Sequence, residues 1–250
     1  MTNSYSLSQT RPRILFIHGL NNNSDSFRPI MQFFKSRGFE TEFMVLPGHA
    51  DKRLHGQEFK NSLELFDQKM RTLPEGPYYV IAFSHGALYL QLWMEKNPDH
   101  RPLKQVLLAP AFYTHQQTLM RYVLGLLPSF LWIKSFSPKE FRRYEYLTVA
   151  DYRMLLKGMV TLHKMNTPFK IPTMVMIDPQ DELVDAESLK REVEKKNQLN
   201  VIFYERSYLQ KGLGSHHILF HPDYFLPNDW TLFMSSIEDF FRSPELRNHS

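Results

Sequence analysis

Short, largely apolar runs alternate with amphipathic helical patterns over most of this 250-residue chain. The runs are "RILFIHG" (Arg13–Gly19), "FETEFMVL" (Phe39–Leu46), "YYVIAF" (Tyr78–Phe83), "KQVLLAP" (104–110), "PTMVMID" (172–178) and "NVIFYE" (200–205). A strand that is apolar at nearly every position, rather than at every second one, is covered on both faces. Helical spacing separates the runs. "SDSFRPIMQFFKSRG" starts on Ser/Asp and ends on Gly38, and Gln57 to Leu73 carries Phe59, Leu63, Phe66 and Met70 on one face. Further helices are predicted over Ala87 to Lys96, Ala186 to Lys196 and within Asp229 to Phe241. Strands alternating with helices predict an α/β fold, a mostly parallel sheet flanked by helices. The chain is long enough to bury one sizeable core.

The rhythm breaks once. Phe112 to Lys170 holds several helical patterns and no convincing strand. A segment that long between two sheet strands is expected to be an inserted helical cap rather than a bare loop. Residues 1–111 and 171–250 are therefore expected to form the core, and 112–170 the cap. Residues 1–11 are polar and expected to be a loose arm.

Composition narrows the chemistry. With no cysteine, neither disulfides nor thiolates contribute, which fits a reducing compartment. A net charge of +4, without an arginine-rich run, gives no reason to expect nucleic acid as a partner. The start, "MTNSYSLSQTRPR", lacks an apolar core, so no signal peptide is expected. The longest apolar stretch, Val123 to Ile133, is broken by Gly125, Pro128 and Ser129 and is too short to span a bilayer. A cytoplasmic protein is the expectation.

The chemistry is carried by "YYVIAFSHGALYL", where a buried strand stops at Ser84 and a helix follows. Ala82-Phe83-Ser84-His85-Gly86 fits a strand–turn–helix nucleophile elbow, with alanine in place of its first glycine. Small flanking residues let strand and helix backbones approach, and the turn lifts the hydroxyl above the sheet. It also aims the His85 backbone N–H, at a helix N-terminus, toward the same point.

A serine nucleophile needs a base, and the base an orienting acid, in the chain order Ser, Asp or Glu, His. "MVMIDPQDELVD" offers Asp178, Asp181, Glu182 and Asp185, and "GLGSHHILFHPD" offers His216, His217 and His221. Both clusters follow predicted strands, where open α/β sheets build their sites. Spacing alone does not choose among them.

These residues resemble the α/β-hydrolase superfamily, in particular capped bacterial carboxylesterases and monoacylglycerol lipases, from "ILFIHGL" to "SHHILFHPDYF". In that family "HG" after the first strand opens the oxyanion loop, which implies that Leu20 donates its backbone N–H. The family's "D-x-x-V" implies Asp181 as the acid, and its "HVI"-like ending implies His217 as the base, with His216 where a glycine is usual. Ser84 is then the nucleophile, and the N–H groups of Leu20 and His85 form the oxyanion hole. No metal or cofactor is implied. His18, in the "HG" turn, is expected to hold loops together, and His49 in "LPGHAD" is read the same way. Epoxide hydrolases and haloalkane dehalogenases share the fold but use aspartate as nucleophile; a hydroxyl at position 84 argues against both.

The inserted segment bears on substrate. It carries nine Lys/Arg and three acids, a net +6, leaving −2 for the rest, and contains the greasy "LMRYVLGLLPSFLWI". A lid whose apolar face simply packs on the core and an acyl tunnel with a basic rim that touches anionic lipid surfaces both fit this pattern; the tunnel predicts small-molecule esters of medium to long acyl chain, such as monoacylglycerol or lysophospholipid, as substrates. An acyl-thioesterase would use the same triad, and a non-catalytic hydrolase-fold binding protein would have no need of one.

Overall fold

The computed structural model describes residues 11–49, 59–115, 117–165, 169–195, 201–205 (backbone only) and 216–244. In chain order the elements are β1 (Arg13–Ile17), α1 (Arg28–Ser36), β2 (Glu40–Met44), α2 (Phe59–Arg71), β3 (Tyr78–Phe83), α3 (His85–Lys96) and β4 (Gln105–Leu108). They continue with α4 (Gln117–Leu126), β5 (Trp132–Lys134), β6 (Tyr146–Thr148), α5 (Val149–His163), β7 (Thr173–Ile177), α6 (Ala186–Lys195), β8 (Val201–Glu205) and α7 (Pro227–Arg242). The expected arm over 1–10, the first two positions of the helix expected from Gln57, and the ends of the helix at Lys196 and of the strand at Asn200 lie outside the described residues.

Six strands form one parallel sheet in the order β2-β1-β3-β4-β7-β8. Alternate residues of β1, β3, β4 and β7 feed two separate cores. Leu15, Ile17, Val80, Ala82, Leu107 and Val175 pack under α2, α3, α5 and α6. Ile14, Phe16, Ile81, Phe83, Val106 and Met176 pack under α1 and α7. Both alternating sets are apolar, and the strands accordingly read as continuous hydrophobic runs. The strand order reverses at β1, with β2 on one side and β3 on the other. The crevice beyond the C-terminal ends of such a pair is where open α/β sheets place their ligands.

Helix α3 follows β3 directly and is buried at ten of its twelve residues, from His85 to Met94. It lies between the sheet and α5. A Cβ on Gly158 of α5 would fall 2.8 Å from Leu88 Cδ2, so a glycine there lets the two helices approach closely.

Residues 112–170 are not wholly helical. Besides α4 and α5 they form an antiparallel ribbon in which Trp132, Ile133 and Lys134 of β5 pair with Thr148, Leu147 and Tyr146 of β6. Three-residue strands are too short to show a period-2 pattern, and the long connection between them hides their partnership in the sequence. Thr148 then caps α5: its side chain accepts from Asp151 N–H while the Asp151 carboxylate accepts from Thr148 N–H at 2.8 Å.

Candidate active site

Ser84 has the backbone of a strained turn. Its φ of 50° and ψ of −115° lie outside the regions a non-glycine residue ordinarily occupies. The conformation is held from both sides: Ser84 N–H donates to Leu108 O at 2.9 Å, and Ser84 O accepts from Ala87 and Ala111 N–H at 3.1 and 3.2 Å. Gly86 permits the close approach that such a turn needs. A Cβ there would lie 2.4 Å from His18 O and 2.9 Å from Ile17 O, against backbone that cannot swing away.

Three loops converge on the hydroxyl. Ser84 Oγ lies 3.0 Å from His217 Nε2, and His217 Nδ1 lies 2.8 Å from Asp181 Oδ2. With Nδ1–H donating to the carboxylate, Nε2 is the acceptor that faces Ser84. The second carboxylate oxygen of Asp181 accepts from Leu183 and Val184 N–H at 2.8 and 2.9 Å. Burial by itself pushes the Asp181 carboxyl up, but the charge and hydrogen bond of His217 and these two N–H groups outweigh it and hold the group below the usual carboxylate range. Asp181, His217 and Ser84 are 2%, 6% and 8% exposed.

The chain after β4 clamps the acid loop. Thr114 bridges Val184, Asp185 N–H donates to Tyr113 O at 3.0 Å, and the His115 ring donates from Nε2 to Asp181 O at 3.0 Å. The other acids have different duties. Asp178 accepts from Gln180 N–H within the turn, and Asp185 caps α6 by accepting from Ser188 N–H and Oγ–H. Glu182 pairs with His216 at 3.3 Å, beside the Asp181–His217 pair and on the same two loops. His221 packs on Phe141.

Leu20 borders the site from the loop after β1, and His85 opens α3. Neither N–H donates to another described residue, so both remain available to a ligand. His18 and His49 tie loops together: His18 donates from Nδ1 to Gly19 O and accepts from Leu46 N–H, and His49 accepts from Asn21 N–H at 2.7 Å. Burial, reinforced by the neighbouring His49, pushes the His18 imidazole well below its ordinary value, which keeps it neutral.

The hydroxyl opens on a largely apolar cavity of about 230 Å³, walled by Leu20, Met120, Leu147, Tyr152, Leu155 and Ile218. Asn22, Ser135 and Ser137 also line it, and no pattern marks them in the sequence beyond the asparagine run that follows "HGL". Among the described residues no group of three His, Asp or Glu is placed to hold a metal ion, and no helix is long and apolar enough to cross a membrane.

The family model described as serine aminopeptidase, S33 (Hydrolase_4) matches residues 8–208. The chain belongs to this α/β-hydrolase family. The match spans Ser84, the loop after β1 and the loop that carries Asp181 in this family member. No functionally curated protein matches it in sequence. Among solved structures it is similar to a monoacylglycerol lipase from Paleococcus ferrophilus, at 17% identity over 92% of this chain and 95% of that one, with a TM-score of 0.68. A structure from work on LipS and LipT, two metagenome-derived lipolytic enzymes, matches at 13% identity over 94% and 95% of the chains, with a TM-score of 0.71. A thioesterase domain from the curacin biosynthetic pathway matches at 13% identity over 91% of each chain, with a TM-score of 0.61. At these identities the likeness establishes the α/β-hydrolase fold.

Proposed function

We propose that this protein is a serine hydrolase that cleaves carboxylic esters of medium- to long-chain acids, such as monoacylglycerol or lysophospholipid, through an acyl-enzyme. The observation that carries the proposal is the continuous hydrogen-bonded chain from Asp181 through His217 to Ser84 Oγ, at the mouth of an apolar cavity. In this mechanism Ser84 Oγ attacks the acyl carbon while His217 Nε2 takes its proton. Asp181 keeps the imidazole in the tautomer with Nδ1–H and stabilises the imidazolium that forms. The N–H groups of Leu20 and His85 receive the negative charge that develops on the carbonyl oxygen. Each such donor contributes about 3 kcal/mol. His217 then protonates the leaving alcohol, and water, activated by the same base, releases the acid.

Residues 112–170 act, in this proposal, as a cap over a core made of 1–111 and 171–250. Met120 from α4 and Leu155 from α5 wall the cavity, which supports an acyl-binding role for the segment. Its outer side supports contact with lipid surfaces. Leu119, Tyr122, Val123 and Leu126 form an exposed apolar stripe on α4 at helical spacing, continued by exposed Phe130, Trp132 and Phe136. Not every cation of the segment faces solvent: Arg153 is turned onto the carbonyls of Leu124, Gly125 and Leu127, Lys170 pairs with Glu95, and Arg142 is mostly buried. Arg121, Lys134, Lys139 and Arg143 remain exposed beside the apolar stripe or the ribbon.

Turnover of p-nitrophenyl esters and acyl-thioesters over a range of chain lengths, with fluorophosphonate labelling of the wild type and Ser84→Ala, tests this. Labelling and ester turnover that both vanish in a folded Ser84→Ala variant are the expected result. Near-native turnover in that variant would refute the nucleophile, and a consistent preference for thioesters would refute the substrate class.

A further inference from the structure

Three asparagines follow one another in "HGLNNNS", and the fold uses them unequally. Asn21, at a left-handed φ of 59°, donates from Nδ2 to Ser135 Oγ and Tyr144 O and accepts at Oδ1 from Tyr144 N–H. Asn23 accepts at Oδ1 from Ser26 N–H at 2.8 Å and donates from Nδ2 to Glu140 O at 3.1 Å. Both carboxamides are consumed in fixing the loop. Asn22, between them, is only 4% exposed, yet its Oδ1 is buried with no hydrogen-bond partner and its Nδ2 donates to no described residue. Its backbone is held in place, with N–H to Gly19 O at 3.4 Å and a bridge to Arg142. The loop is fixed and the side chain unused.

Its position gives that spare carboxamide a use. Asn22 lines the same cavity as Ser84, His217 and Leu20. A Cβ on Gly19 would fall 2.8 Å from Asn22 Oδ1 and 2.7 Å from the Phe83 ring, so glycine is needed for the amide to lie against the Gly19–Leu20 peptide. That peptide carries the Leu20 N–H assigned above to the oxyanion hole. Oδ1 is buried without a partner, and Nδ2 is the end of the carboxamide that can donate to a bound ligand. The Nδ2 donor makes no hydrogen bond to a described residue, and a donor beside a binding cavity is placed to pair with an acceptor on the ligand.

We propose that Asn22 is a further catalytic residue whose Nδ2 donates to the oxyanion, a third donor beside the N–H groups of Leu20 and His85. The inference rests on the acyl-enzyme chemistry proposed above. As the Ser84 Oγ–carbon bond forms, the Ser84 proton passes to His217 Nε2 and the carbonyl π pair moves onto oxygen. Asn22 hydrogen-bonds that oxygen while it is charged and gives up no proton. When the pair returns, the bond to the leaving group breaks and the leaving alcohol takes the proton back from His217. A hydrogen bond to an anion is stronger than one to a neutral carbonyl, so the contact favours the transition state over bound substrate.

Steady-state kinetics of Asn22→Ala, Asn22→Asp and Asn22→Leu test it, with methyl and glyceryl esters of one acyl chain and with a trifluoromethyl ketone that adds to Ser84. Loss of one oxyanion donor is expected to lower kcat about 100-fold or more on both esters. KM should stay within about threefold, while affinity for the ketone falls in parallel with kcat. Asn22→Asp keeps the shape but puts a carboxylate beside the oxyanion, so Asn22→Leu, of similar size, uncharged and without a donor, decides the matter if Asn22→Ala does not fold. Unchanged kcat and ketone affinity would overturn the proposal. A loss confined to KM, or to the glyceryl ester, would assign Asn22 to recognition of the alcohol instead. If the wild type turns over neither ester and Ser84 resists fluorophosphonate, the hydrolase proposal fails and Asn22 falls with it; if only the Asn22 variants keep wild-type rates, Asn22 alone is refuted.

Discussion

Replacing His85 with methionine should make the protein progressively more stable than wild type as pH falls. The His85 ring is fully enclosed: neither nitrogen has a hydrogen-bond partner, and the ring meets Tyr89 edge-on at 4.7 Å. Burial, with a smaller contribution from nearby His49 and a partial offset from Asp151, pushes the imidazole from its ordinary 6.5 down to about 3. The unfolded chain therefore takes up a proton below about pH 6.5 that the folded protein refuses, and wild-type stability is lost as pH drops through that window. At about pH 7 almost nothing is lost, whereas at about pH 5 the unfolded state gains roughly 2 kcal/mol from this one group. Methionine removes the titration and suits the site, because its thioether packs well against an aromatic ring. Carboxylates and His18 titrate in both proteins and cancel in the comparison. Urea unfolding of both proteins at about pH 7 and about pH 5 reads the gap between them, which should widen by roughly 2 kcal/mol at constant m-value. A gap that stays the same at both pH values would mean that the ring is hydrated or paired in the folded protein.

Asp181→Asn should lower kcat about 10⁴-fold by favouring the wrong tautomer of His217, and His217→Ala at least as much. Asp185→Asn and His216→Ala should keep most activity, and the former should cost little stability because asparagine caps a helix about as well as aspartate; the reverse ranking in single-turnover assays would reassign the triad. Leu126→Asp with Phe130→Asp, at exposed positions of the apolar face, should weaken binding to anionic vesicles and leave turnover of a short neutral ester unchanged. Vesicle binding by the wild type should weaken as salt rises, because exposed charges are screened over about 8 Å at physiological ionic strength; salt-independent binding in a sedimentation assay would leave Arg121, Lys134 and Arg143 without a part in it.

Much of the architecture was legible locally. The two-faced burial of the strands and the small residues around Ser84 are consequences of neighbours within a few positions, and each leaves a mark in composition or period. The acid was not legible. Asp178, Asp181 and Asp185 stand in similar turns, and what sets Asp181 apart is that one carboxylate oxygen meets His217 while the other accepts from two backbone N–H groups. The ribbon at 132–134 and 146–148 was missed because its strands are three residues long.

The sequence by itself determined a parallel α/β sheet with a serine at a strand–helix junction, since hydrophobic period and turn chemistry are short-range properties. Tertiary structure decided everything that depends on which loops meet. Ser84 and His217 lie 133 positions apart, and His217 and Asp181 lie 36 apart, so their contacts follow from strand order rather than from spacing. Tertiary contacts also decided which of three identical asparagines has no partner, because the neighbours that satisfy Asn21, Ser135 and Tyr144, arrive from more than a hundred residues away.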